Sequence, residues 1–282
     1  MLVFVFLLSV INLNEYLIAP RFLGDKIIVC GAKFQGIYLW EPGSARVKKL
    51  IDADGFHVAF SSSGTKLAAR KEGDVIVYDI LRKRMVKRIR GDFTGYPVFM
   101  GEKLLVPEEK STLVFDENLI GSGKLPFSFT YGTAGNDKLA FSRNDSIFLF
   151  DFKKHELKIV RGGDGIYFMP IISPDGNYIV YSKLGYGLYL YNIEKGNEIF
   201  VSKGGNPSWR SDSKVFVFSI VEDNGEDITG ADLYVYRISD GKVIQLTHTR
   251  DVFELLPSFS PDGKKVVYNT FEGKIDFVLY KE

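Results

Sequence analysis

Cysteine, histidine and glutamine are nearly missing from this chain. One cysteine in 282 residues, Cys30, excludes an internal disulfide and any cysteine-based metal cluster. Its place in the apolar run DKIIVCG reads as a small core residue, not a nucleophile. The three histidines, His57, His155 and His248, stand far apart and form no paired ligand motif, so no metal and no cofactor is expected. The only glutamines are Gln35 and Gln245, a scarcity that fits a thermophile's avoidance of labile residues. Neither sign of charge is in excess: 36 Lys and Arg against 35 Asp and Glu leave a net +1, which gives no long-range pull on nucleic acid or an acidic membrane.

Long hydrophobic runs are also missing. The N-terminal MLVFVFLLSVI is too short to span a bilayer as a helix, so no transmembrane span is expected. No Lys or Arg precedes Arg21, and no small-x-small cleavage site follows the run, which argues against a secretory signal. Its Val and Phe suit a strand. A cytoplasmic chain is the resulting expectation, with a periplasmic or other extracytoplasmic one the alternative if the run is a signal or anchor.

What the chain does have is aromatic residues, glycine and a period. Apolar words ending in an aromatic residue recur as GIYLWE, DVIVYD, STLVFD, SIFLFD, GLYLYN, DLYVYR and DFVLYK. Their aromatics, Trp40, Tyr78, Phe115, Phe150, Tyr191, Tyr236 and Tyr280, follow one another at steps of 35 to 45 residues. Seven copies of one strand in phase are the mark of a propeller array. Each unit divides into four short strands between turn signals, shown best by YFMPIIS, NYIVYSK, GLYLYNI and NEIFVSK. The Ser-Pro-Asp-Gly of the first turn supplies a preset φ at Pro and a positive φ at Gly. The sequence therefore predicts an all-β chain with residues 1–282 as a single domain: a seven-bladed β-propeller of four-stranded antiparallel blades, six blades being the alternative. The last unit lacks one strand, and Leu2 to Val10 is one strand left over. The ring is expected to close by lending that strand to the last blade, which removes an exposed edge.

The words PSFSPDGKKVVY and PIISPDGNYIVY resemble the β-propeller repeat of the TolB-like family, with weaker echoes in PSWRSDSKVFVF and AFSSSGTKLAA. The WD-repeat family is the nearest competitor, because VIVYDI is similar to the end of its third strand. No unit, however, has that family's Gly-His start. The resemblance implies a propeller repeat and does not imply an activity.

Catalytic motifs do not appear. There is no Gly-x-Ser-x-Gly elbow, Walker loop or Gly-x-Gly-x-x-Gly. The insert VEDNGEDITG, Val221 to Gly230, lacks the alternate-oxygen spacing of a calcium loop and reads as a solvated flap. The basic LRKRMVKRIR reads as protection of an outer strand edge; no aromatics are interleaved there, so sequence-specific nucleic-acid reading is not expected. Two function classes remain. One is a non-enzymatic scaffold that binds a protein or peptide partner through a loop face; the other is a small-molecule or carbohydrate binder, or a lyase or hydrolase, with a site in the central funnel. The longer Gly-rich links DADGFH, GDFTGY, GGDGIYF, KGGNPSW and HTRDVFE feed the inner strands. They nominate His57, Tyr96, Tyr167, Trp209 and Glu254 as ligand- or partner-binding residues at the funnel mouth.

Overall fold

Period-2 alternation with turn residues every few positions produces strands almost exclusively. The computed structural model describes residues 16–44 and 47–281. The first sheet has seven strands in sequence order: β1 (Leu17–Leu23), β2 (Lys26–Gly31), β3 (Gln35–Trp40), β4 (Val47–Phe60), β5 (Lys66–Lys71), β6 (Asp74–Asp79) and β7 (Arg84–Ile89). The next holds β8 (Val98–Met100), β9 (Lys103–Pro107), β10 (Thr112–Phe115) and β11 (Gly121–Leu125). A third holds β12 (Tyr131–Gly135), β13 (Lys138–Arg143), β14 (Ser146–Asp151) and β15 (Glu156–Arg161), and a fourth β16 (Tyr167–Ile172), β17 (Tyr178–Lys183), β18 (Gly187–Asn192) and β19 (Asn197–Ser202). The fifth has β20 (Gly205–Trp209), β21 (Val215–Asp223), β22 (Ile228–Arg237) and β23 (Lys242–Gln245); the last has β24 (Glu254–Phe259), β25 (Lys265–Thr270) and β26 (Ile275–Leu279).

These are antiparallel meanders of the kind that form propeller blades. Six of the seven aromatics that set the period lie in the third strand of their repeat, and Tyr280 directly follows β26. One difference from the sequence expectation is β4. It runs unbroken for 14 residues, ending one meander and opening the next, so the first two repeats share a sheet. The candidate closing strand, Leu2 to Val10, lies outside the described residues. Among the described residues, β26 pairs with β25 alone.

The chain divides into two compact units, Met1–Leu50 with Lys203–Glu282, and Ile51–Ser202. In the first, Leu17, Ile27, Val29 and Trp40 pack with Val267 and Ile275, joining β1–β3 to β25 and β26. Val215, Val217, Leu233 and Val235 pack with Phe259, Val266 and Tyr268. In the second, the clusters follow the same rule, sheet against next sheet: Val75 and Val77 with Leu104 and Val106, Val98 and Leu105 with Leu139 and Phe141, Ile147 and Leu149 with Ile179 and Tyr181. Second and third strands are covered on both faces, which explains their near-continuous apolar runs. Each such side chain contributes about 1.5–3 kcal/mol.

The turns obey the sequence chemistry closely. In the Ser-Pro-Asp-Gly turn, the Ser173 hydroxyl donates to Asp175 (2.6 Å) and accepts from the Tyr178 amide (3.0 Å), while Gly176 takes φ +73°. Ser260, Asp262 and Gly263 repeat the arrangement. Where the first residue is Arg210, its guanidinium grips Asp212 with two bonds instead, at 2.9 and 2.7 Å.

Four of the inner strands share a second device. Ala19, Met169, Asn206 and Leu256, each directly before a proline, have φ between 49° and 54°. A bulge interrupts β1, β16, β20 and β24 at these points. Proline has no amide to offer a ladder, so it is tolerated where the ladder breaks.

Candidate functional site

Inner strands converge on one place in the unit Ile51–Ser202. His57 lies in the second half of β4, Tyr96 just before β8, and Tyr131 opens β12. The His57 ring is 4.6 Å from the Tyr96 ring and 4.2 Å from the Tyr131 ring, with Phe56 against it at 3.9 Å. Phe56 and Tyr96 meet edge to face at 5.8 Å. Three successive sheets thus contribute to one cluster of four rings, and all four are half-buried.

Arg70, from the end of β5, places its guanidinium over the Tyr96 ring at 5.4 Å and donates to the Thr94 carbonyl at 3.3 Å. Asp54 pairs in register with Arg70 and closes its own turn by accepting from the Phe56 amide at 2.9 Å. Burial, and then the negative charge of Asp54, push the Tyr96 hydroxyl above its ordinary pKa, with Arg70 opposing. Tyr96 is therefore a neutral hydrogen-bonding group and not a base at physiological pH. The cluster offers flat apolar faces, one cation and two phenols. That equipment suits recognition through stacking and hydrogen bonding.

A second cluster in the same unit surrounds Tyr167, the first residue of β16. Its hydroxyl donates to Asp164 (2.6 Å), and Asp164 also receives the Lys183 ammonium (3.2 Å). That ammonium lies over the Tyr167 ring (5.1 Å) and the Tyr186 ring (4.9 Å). The Tyr167 oxygen first, then Asp164, hold Lys183 charged above the usual lysine range. Tyr167 is itself 3% exposed, so it supports the cluster from beneath. The accessible groups are Tyr186, Leu184 and Ile166, at 60%, 57% and 43% exposure.

The remaining nominated residues lie in the other unit. Glu254 opens β24 fully buried, where it accepts from the hydroxyls of Thr247 and Thr249. Trp209 stands differently from the sequence expectation. It ends β20, edge to face with Phe216 at 5.0 Å, beside the Arg210–Asp212 turn. That is the turn end of an inner strand, whereas Tyr167 and Glu254 stand at the link end. The structure thus brings together His57 and Tyr96 of the five nominees. Phe56, Tyr131, Arg70 and Lys183 were not nominated. Tyr131 had a signal available, since it begins an inner strand as Tyr167 and Glu254 do.

Among the described residues, no group of three or more His, Cys, Asp and Glu is placed to hold a metal ion. His155 and His248 are exposed, one in a third turn and one in a link. The insert at Val221 to Gly230 is an extension of the β21–β22 hairpin and not a loose loop, tipped by Asn224 and Asp227. No helix in the described residues is long and apolar enough to cross a membrane.

No protein-family model matches the chain. A curated TolB homolog protein from Chlorobaculum tepidum is 30% identical over 106 residues, which cover 36% of this chain and 23% of that protein. The match therefore spans less than a quarter of the relative's length. Among solved structures, a chain of the mitotic checkpoint complex is similar with a TM-score of 0.71 at 15% identity, covering 95% of this chain and 88% of that one. Oligogalacturonate lyase in complex with manganese is similar with a TM-score of 0.67 at 13% identity, covering 95% and 91%. At such identities the likeness is one of fold: a β-propeller type built from four-stranded antiparallel sheets.

Proposed function

We propose that this chain is a TolB-like β-propeller of seven blades in one domain, closed by the strand within Leu2 to Val10. Its work is to hold a protein or peptide partner at the link end of the inner strands, without catalysis. The observation that supports this reading is the half-buried cluster of Phe56, His57, Tyr96 and Tyr131 with Arg70 over one ring. Aromatic and arginine side chains are enriched among the residues that dominate binding energy in protein interfaces, the aromatic ones because they bury much area for little lost rotamer freedom. The apolar tips Ile166, Leu184 and Tyr186 extend the same end of the unit. A cytoplasmic location accompanies this reading, and an extracytoplasmic one would accompany a TolB-like role.

A second reading, a small-molecule or carbohydrate site, rests on the same rings, which could stack on a sugar, and on the likeness to oligogalacturonate lyase. One experiment separates them. The full chain is immobilised, a partner is captured from the native cell, and the same capture is run with Phe56→Ala, Tyr96→Ala and Tyr131→Ala combined. Loss of at least about 100-fold in affinity, with an unchanged circular dichroism spectrum, supports the partner reading. Undiminished capture overturns it. Calorimetric binding of an oligosaccharide such as oligogalacturonate, lost in the same variant, supports the second reading instead.

A further inference from the structure

The link from β23 to β24 is fastened by hydroxyl groups around one buried carboxyl. Glu254 pairs in register with Thr270 and is 0% exposed. The Thr247 hydroxyl donates to its Oε2. The same Thr247 Oγ1 accepts from the Leu233 amide at 2.8 Å and lies 3.4 Å from Asp232 Oδ1. Thr249 Oγ1 is 3.1 Å from Glu254 Oε1 and 2.8 Å from the Val252 carbonyl. Asp232 is already served by the Gln245 side-chain amide at 2.9 Å and the Thr249 backbone amide at 3.1 Å.

Protons can be counted in this arrangement. Each threonine hydroxyl has one hydrogen, and between them they face four acceptor contacts. With Glu254 ionised, Thr249 must choose between Glu254 and the Val252 carbonyl. A proton on Glu254 Oε1 removes the choice: Glu254 donates to Thr249, Thr249 donates to Val252, and Thr247 donates to Glu254 Oε2. Every contact of Glu254 and Thr249 then has a donor and an acceptor; the one contact left without a hydrogen, Thr247 to Asp232 at 3.4 Å, is the longest, and Asp232 already has its two amide donors.

We propose that Glu254 is a proton-operated latch: protonated, it clasps the link of residues 246–253 to inner strand β24, and ionised, it lets the outer part of that link go. The only chemical change is transfer of one proton from Oε1 to solvent, reached past the exposed Thr249. The charge of Asp232 on β22 opposes ionisation of the carboxyl. Asp276 on β26 is a half-buried carboxyl whose own pKa burial pushes up. Tyr268 on β25 has its hydroxyl raised by burial first, then by Asp276 and Glu254. Glu272 lies toward Thr270, whose hydroxyl pulls it down. His248, Arg250 and Asp251 of the link itself are exposed. In agreement with the count, burial foremost, with Asp232 adding to it, lifts the Glu254 carboxyl to about 7 against the pull of the two hydroxyls.

The direction of the pH effect follows. The folded chain keeps a proton that the unfolded chain, with an ordinary carboxyl at 4.5, releases. Between about pH 4.5 and 7, stability from this group falls as pH rises, and above that it is flat. Thermal melts of the full chain and of Glu254→Gln are compared from pH 5 to 8.5, since Gln reproduces the protonated pattern of one donor and one acceptor. The wild-type melting temperature should drop relative to the variant by roughly 3–6 °C across that range, with the change falling mostly between pH 5 and 7 and a plateau above. Parallel curves overturn the latch. A carboxyl NMR titration of wild-type chain labelled at glutamate needs no variant: a midpoint between 6 and 8 for the buried glutamate supports it, and one below 5 overturns it. Exchange of the Thr249 and Leu233 amides should also accelerate above neutrality beyond its intrinsic pH dependence.

Discussion

Within the unit Ile51–Ser202, the two ends of the inner strands are built from different materials. At the turn end, sheet is tied to next sheet by polar bonds. The Ser62 amide donates to the Gly101 carbonyl (3.0 Å), and the Glu102 carboxylate accepts from the Ser63 amide (2.9 Å), the Ser62 hydroxyl (3.0 Å) and Lys66 (3.1 Å). Two sheets further on, Asn136 donates to the Asp175 carbonyl and Lys138 to that of Gly176. At the link end the ties are backbone bonds, from the Phe93 amide to Gly73 (3.0 Å), Tyr96 to Thr130 (2.9 Å) and Tyr167 to Asp145 (3.0 Å), and the prominent side chains are rings and aliphatic tips. A fully satisfied polar network fixes geometry and leaves nothing to offer a partner. An apolar, aromatic rim does the reverse. The difference teaches that the turn end spends its side chains on holding the sheets in register, whereas the link end does so with backbone and leaves its side chains available for contact.

The largest expected effect tests the braced end. Glu102→Ala removes the hub of the bonds between the β4–β5 and β8–β9 turns and should cost about 2 kcal/mol at pH 7, read by urea unfolding. Those bonds hold the Glu102 carboxyl down to about 2, from an ordinary 4.5. Its contribution is therefore complete above about pH 4.5 and disappears as pH falls toward 2, so wild type and variant should converge in acid. Equal stabilities at pH 7 would break the comparison.

A smaller effect, of opposite sign, is expected in the third turns. Lys83 and His155 hold φ of 55° and 54° where Gly196 and Gly241 stand in the equivalent turns at 67°. Lys83→Gly and His155→Gly should each raise stability by about 0.5–1 kcal/mol, because only glycine takes that conformation without strain. A fall in melting temperature would show that the side chains matter more than the backbone.

The smallest effect belongs to the link end. Leu184→Ser alters an exposed hairpin tip and should change stability by less than about 0.5 kcal/mol. If it destabilises as much as Glu102→Ala, the side chains of both ends are structural and the contrast fails.

Much of this fold could be read from the chain because turn chemistry is local. Ser173, Asp175 and Gly176 bond within their own turn, and the third-strand words alternate in a way that needs no knowledge of neighbours. The unbroken β4 was not readable, since whether a link bends or continues as strand depends on what it packs against. The same limit governed the site. Tyr96 and His57 were accessible as aromatic residues entering inner strands, but Arg70 ends a second strand and meets Tyr96 only through the tertiary fold. Trp209 was misjudged by position along its strand, five residues beyond the link end. The basic outer strand was legible only in part: Arg88 bonds Asp74, itself buried and held down first by that bond, so this residue does more than guard an edge.

The four bulged prolines have a consequence for the vocabulary in which a guest could be read. β1, β16, β20 and β24 are each the first strand of a meander, with one edge left over, and such an edge ordinarily invites any passing extended chain to zip onto it. Pro20, Pro170, Pro207 and Pro257 cannot donate from that edge, and the kink beside each one throws the following residues out of step. A guest strand would lose its register there. Main-chain pairing, which is indifferent to sequence, is thereby discouraged, and discrimination is left to side chains, which are not.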